Sequence, residues 1–113
     1  MRGGLLTLRT DVEDGASIVH VTGELDLATV AAFDTELESS PADRVVIVLA
    51  ECTFIDSSAL RSLVRAHRSA GENGGALALV APTQPARRVL EVATLDRVIP
   101  VFDTVPEAVA SVS

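Results

Sequence analysis

Apolar residues along the chain fall into short uninterrupted runs and longer stretches in which they recur every three or four positions. Val45-Val46-Ile47-Val48-Leu49 is the densest run, largely β-branched and without alternation, which predicts a strand buried on both faces of a parallel or mixed sheet. Ala76-Leu77-Ala78-Leu79-Val80 predicts a second buried strand. Between them, Leu60, Leu63, Val64 and His67 share one face of a helix starting near Ser57, and Arg61, Arg65 and Arg68 line another. Gly71-Glu72-Asn73-Gly74-Gly75 ends that helix. Strand, helix, strand in this order is a crossover unit with parallel strands, and it makes 45–49 the core strand.

Upstream, Leu6 and Leu8 alternate weakly, residues 11–15 are turn-rich, and Ser17-Ile18-Val19-His20-Val21-Thr22 reads as a strand. The Asp14-Gly15 pair between them predicts an antiparallel hairpin. Gly23-Glu24-Leu25-Asp26 is expected to break the second strand, with Asp26 capping a helix whose apolar side is Val30, Phe33 and Leu37 and whose wet side is Glu36 and Glu38. Ser39-Ser40-Pro41 ends it. Downstream, Pro85 suits the first turn of a helix over 86–93, with Val89, Leu90 and Val92 inward and Arg87, Arg88 and Glu91 outward. Residues 98–102 predict a short strand that Pro100 places at or near an edge. Asp103 or Thr104 starts a last helix with Pro106 in its first turn. The sum is an α/β fold: an N-terminal β-hairpin feeding a mixed four- to five-stranded sheet, with about four helices packed mainly on one side. At 113 residues it is read as one domain, 1–113, with a single core.

Ligands and partners of open α/β sheets meet the loops at the carboxyl ends of the strands. There the core strand leads into Phe54-Ile55-Asp56-Ser57-Ser58-Ala59-Leu60. Asp56 suits the N-cap, accepting the N–H of Ser58 or Ala59. Ser57 projects with Leu60 and Val64 and is expected to be buried; Ser58 projects with Arg61, Ser62 and Arg65 and is expected to be exposed. A hydroxyl at a helix start has two readings, capping chemistry alone or a phosphorylation switch. A phosphate there is tolerated by the positive helix end and by Arg61, with Asp56 opposing it. A partner packed flat on the hydroxyl meets about 1.5 to 2 added negative charges and loses its contact.

Composition narrows the field. Sixteen acidic against nine basic residues give a net charge of -7, which disfavours direct binding to nucleic acid or to an acidic membrane. With three Phe and no Trp or Tyr the core is aliphatic, and base stacking on aromatic rings is not expected. Every basic residue is Arg, so a Schiff-base lysine and a Walker-type phosphate loop are excluded. No Gly-x-Ser-x-Gly elbow is present, His67 lies about 13 Å along the helix from Ser58, and His20 sits in the hairpin, so no catalytic group converges and no enzyme is expected. Cys52, His20 and His67 lack metal-ligand spacing, and neither metal nor cofactor is expected. Cys52, the only cysteine, reads as a small buried hydrophobe in a reducing compartment. No run has the length of a membrane span and the first residues lack the apolar stretch of a signal peptide, so a cytoplasmic location is expected.

The segment Phe54-Ile55-Asp56-Ser57-Ser58-Ala59-Leu60, with Gly23-Glu24-Leu25-Asp26 upstream, resembles the STAS domain of bacterial anti-sigma factor antagonists, over nearly the whole chain from about Leu5 to Val112. The resemblance implies the STAS fold and phosphorylation of the second serine of Asp-Ser-Ser, here Ser58, by an anti-sigma factor that is itself a serine kinase. It implies that the unphosphorylated form sequesters that kinase and frees a sigma factor, that phosphorylation of Ser58 blocks binding, and that a serine phosphatase resets the switch. It also implies a partner surface drawn from Glu24, Asp26, Asp56, Ser57, Ser58, Ala59, Arg61 and Ser62, in which Glu24, Asp26 and Asp56 form an acidic rim suited to basic groups. Ala59 stands where the family usually has glycine. An alternative is a constitutive STAS adaptor in a stress-signalling scaffold or a transporter-associated complex; the intact Asp-Ser-Ser favours the switch.

Overall fold

A computed structural model describes residues 5–40 and 42–113, which leaves the expected stop at Pro41 outside the described residues. The elements in order are β1 (Leu6–Glu13), β2 (Ala16–Leu25), α1 (Val30–Glu38), β3 (Arg44–Ile55), α2 (Ser57–Glu72), β4 (Ala76–Val80), α3 (Ala86–Val92), a 3-10 turn (Leu95–Arg97), β5 (Val101–Phe102) and α4 (Val105–Val112). The strands form one sheet in chain order, β1 antiparallel to β2 and the rest parallel. Asp14 and Gly15 both take positive φ, 51° and 79°, the backbone of a two-residue hairpin turn whose twist matches the flanking strands. Each parallel pair is joined through a helix, as parallel neighbours require.

The core strand is buried on both sides because the helices sit on both sides, unevenly. Val45, Ile47 and Leu49 pack with Phe33, Ala59, Leu63, Ala86 and Leu90 from α1, α2 and α3. Val46 and Val48 point the other way and pack with Ala108, Val109 and Val112 of α4. Three helices on one face and one on the other account for the unbroken apolar run at 45–49. At the end of α2, the Gly75 N–H reaches the Ala70 carbonyl at 2.8 Å and the Gly74 N–H the Gly71 carbonyl at 3.1 Å, a Schellman stop with Gly74 at φ +80°. Thr104 caps α4, its hydroxyl oxygen accepting the Glu107 N–H at 3.3 Å.

Four expectations change. First, β2 does not break at Gly23 but runs on to Leu25, with register shifts against β3 on either side of residues 22 and 23. Gly23 has φ +108°, and a Cβ there would lie 2.4 Å from the Leu5 carbonyl oxygen, so the glycine serves a bulge and a close backbone approach. Second, the inward face of α2 is Ala59, Ser62, Leu63 and Ala70, with Leu60, Val64 and His67 only half-buried. Small residues let the helix lie close to the sheet, and the larger ones pack at its margins. Third, Val92 is 71% exposed, not inward. The inward anchors of α3 are Ala86 and Leu90, and two residues past Leu90 a side chain has turned about 200° away. Fourth, only Val101–Phe102 of the expected last strand pair, with β4 alone; the strand is at an edge, as Pro100 required.

Gly23→Ala is expected to destabilise the domain by about 2 kcal/mol or more, from left-handed backbone strain together with the steric conflict at Leu5. Urea unfolding of the variant beside the parent checks it.

Candidate functional site

Two loops leave the carboxyl ends of β2 and β3 side by side. The first is a tight turn. Asp26 Oδ1 accepts the N–H groups of Ala28 at 3.0 Å and Thr29 at 3.2 Å. The Thr29 hydroxyl donates to the Glu24 carbonyl at 2.9 Å and its oxygen accepts the Asp26 N–H at 3.0 Å, so this buried threonine closes the loop on itself. Asp26 therefore organises the turn ahead of α1, and Thr29, not Asp26, takes the N-cap position.

The second loop is a single residue. Asp56, in extended conformation, joins β3 directly to α2. Its Oδ1 accepts the Ala59 N–H at 3.1 Å, the expected cap. Its Oδ2 accepts the Leu27 N–H at 3.0 Å, and its own N–H donates to the Leu25 carbonyl at 3.3 Å. One carboxylate thus caps the helix and pins the neighbouring loop.

Ser57 and Ser58 exchange their expected places: Ser57 is exposed and Ser58 half-buried. With Ala59, Ser62 and Leu63 facing the sheet, Ser58, one turn before buried Ser62, lies at the margin of the packed face; Ser57, one turn before exposed Arg61, lies off it. Ser58 is not sealed inside. Its hydroxyl has no hydrogen-bond partner among the described residues, and it is not among the polar atoms cut off from solvent.

The remaining expected site residues divide. Arg61 is exposed, and Glu24, Asp26 and Asp56 are half-buried at the same end of the sheet. Ala59 is fully buried, so its methyl group, the departure from glycine, fills the core and not the surface. Ser62 is 1% exposed, and its hydroxyl oxygen accepts an Arg65 N–H at 3.1 Å. Neither Ala59 nor Ser62 offers its side chain to a partner, because both lie on the inward stripe of α2. The acids of the rim are also partly committed, Asp26 and Asp56 to backbone N–H groups.

Two residues absent from the expected set belong to this end. Leu27 is 74% exposed beside Asp56, and Phe54 is 38% exposed on β3, opposite Glu24 in the register. Exposed apolar side chains beside a helix start give a docking face its desolvating contacts. Leu27 had a signal in the sequence: an apolar residue directly after a turn-forming Asp, outside any helical stripe. Cys52 is buried, its thiol donating to the Phe54 carbonyl at 3.4 Å, and burial pushes the thiol above its ordinary pKa. His20 is a strand-face residue 3.3 Å from Asp11. Among the described residues no group of three His, Cys, Asp or Glu is arranged to hold a metal, and no helix is long and apolar enough to cross a membrane.

The fold and the Asp56-capped helix start define a small α/β module with a mixed apolar and acidic face at the carboxyl end of its sheet. Residues 7–108 match the STAS domain family, and the chain belongs to it. A Thermotoga maritima protein named as a candidate anti-sigma factor antagonist is 36% identical over 70 residues, 62% of each chain, so the match spans about three fifths of that relative. The crystal structure of an anti-sigma factor antagonist from Mycobacterium paratuberculosis is 26% identical, with a TM-score of 0.85 over 96% of this chain and 95% of that one. Unphosphorylated SpoIIAA, 21% identical, shares the fold with a TM-score of 0.71 over 95% of each chain.

Asp56→Ala is expected to cost about 1 to 3 kcal/mol, since both a cap and a loop tether are lost. Asp56→Asn keeps a cap acceptor and loses the tether, so it costs less while the Leu27 amide exchanges faster in both variants. Urea unfolding and amide hydrogen exchange separate the two effects. Because its thiol is pushed up and covered, Cys52 carries less thiolate at pH 8 than a free cysteine and is expected to react with a disulfide reagent at least about tenfold more slowly in native than in urea-unfolded protein.

Proposed function

We propose that this chain is an anti-sigma factor antagonist whose docking face is switched by phosphorylation of Ser58. The observation that carries this reading is the Ser58 hydroxyl, unbonded and open at the margin of α2, on a helix start that Asp56 holds without its help. A phosphate added there removes no hydrogen bond of the fold. The Thermotoga and Mycobacterium relatives named as anti-sigma factor antagonists support the role.

In the unphosphorylated state the anti-sigma factor, a serine kinase, docks on Leu27, Phe54, Ser57, Ser58 and Arg61, and its basic groups meet Glu24, Asp26 and Asp56. Sequestering that kinase frees the sigma factor. The kinase transfers the γ-phosphoryl group of ATP to Ser58 Oγ, the hydroxyl proton passing to a base of the kinase and ADP leaving. The new dianion sits in the favourable field of the α2 N-terminus, with Arg61 near and Asp56 opposing. The scaffold therefore persists while added charge and volume break the docking contact. A serine phosphatase restores the hydroxyl. The partners are proteins of the cytoplasm, with no direct contact to nucleic acid or membrane.

Incubation with the cognate kinase and ATP, followed by phosphosite mass spectrometry, tests the reading. Phosphate is expected on Ser58; Ser58→Ala takes none and keeps its partner, Ser58→Asp weakens binding at least about tenfold, and Ser57→Ala is still phosphorylated. Ser57 is the more exposed hydroxyl, and phosphate found there, or nowhere, overturns the proposal.

A further inference from the structure

The two edges of the sheet are built differently. At one edge β5 has two residues and follows Pro100, the kind of short edge that resists pairing with another chain. At the other, β1 has eight, in unbroken register from Leu6 opposite Gly23 to Glu13 opposite Ala16, without proline or bulge. The phase of this ladder is fixed by two observations. The Glu24 N–H donates to the Leu5 carbonyl at 2.9 Å, and the Glu13–Ala16 pair closes the two-residue turn. Hydrogen-bonded pairs alternate along an antiparallel ladder, so Thr7, Arg9, Asp11 and Glu13 exchange bonds with β2. The N–H and C=O groups of Leu6, Leu8, Thr10 and Val12 point outward, and no other strand among the described residues pairs with them.

We infer that this edge is a self-association surface, on which two copies of the chain join β1 to β1, antiparallel, about a two-fold axis through their Thr10 residues. The sequence of the strand, Leu6-Thr7-Leu8-Arg9-Thr10-Asp11-Val12-Glu13, is complementary to itself in that register. Thr10 pairs with Thr10 and Leu8 with Val12 through the outward backbone groups. Arg9, which already pairs with Asp11 of its own strand at 3.2 Å, lies opposite Asp11 of the second copy, so the two strands join their exposed pairs into one alternating cluster of four charges, and Val12, 58% exposed, gains an apolar neighbour in Leu8. Neighbouring registers pair the charges less well or at the cost of a repulsive contact. Centring the axis on Arg9 sets Arg9 against Arg9, centring it on Val12 sets Asp11 against Glu13 twice, and centring it on Leu8 leaves Arg9 opposite Thr7 with no ion pair. Centring it on Asp11 sets Asp11 against Asp11 while Arg9 faces Glu13, and is the register that competes most closely. The Thr10 hydroxyl donates to Glu36 of α1, so two carboxylates also approach the axis, which keeps the association weak and concentration-dependent. A two-fold axis normal to the sheet keeps α1, α2 and α3 of both copies on one side and points their Ser58 ends in opposite directions, each open to a partner.

Sedimentation equilibrium of the full chain from micromolar to millimolar concentration tests this, with amide hydrogen exchange at both ends of the range. A reversible monomer–dimer equilibrium is expected, with protection at Leu8, Thr10 and Val12 rising as the dimer fills. Arg9→Glu, on an exposed side chain, raises the dissociation constant about tenfold, and the swap of Arg9→Asp with Asp11→Arg restores it. A chain monomeric throughout, a dimer indifferent to Arg9→Glu, or one whose protection appears away from β1 overturns the inference.

Discussion

The Asp56 carboxylate is the contact on which the candidate site of this domain depends. One oxygen satisfies a free N–H of α2, the other holds the Leu27 N–H of the loop after β2. Each bond is worth about 1 kcal/mol, small beside the burial of the core. Their importance is geometric, because two segments 29 residues apart in sequence are fixed to one side chain and the exposed Leu27 is held against the residue that starts α2.

That contact is possible because β3 ends where it does. With its first half buried under helices on both faces, the strand cannot shift in register without moving apolar side chains out of both packing layers. Its far end then delivers Asp56 at a fixed height beside the carboxyl end of β2, where the bulge at Gly23 lets that strand continue to Leu25. The scaffold and the proposed switch are thus separate: capping rests on Asp56, and the Ser58 hydroxyl has no hydrogen-bond partner among the described residues.

The same separation runs across the molecule. The proposed docking face lies at the strand ends, the self-complementary edge along β1, and the core between them uses neither. The two proposed interactions therefore do not compete for surface.

By itself the sequence determined what depends on near neighbours. Asp14-Gly15 dictates a hairpin turn because few other pairs accept two positive φ angles, the run at 45–49 dictates a doubly buried strand, and Asp56 ahead of a helix dictates a cap. Periodicity also set which residues of α2 share a face. It could not set the rotation of that helix about its axis, which follows from how closely Ala59, Ser62 and Ala70 let it approach the sheet, and that rotation turned Ser57 outward and Ser58 toward the margin. Only the tertiary structure gave Asp56 its second partner, put Ser62 inside and left part of Leu27 and Phe54 at the surface, because each depends on segments that meet through folding and not along the chain.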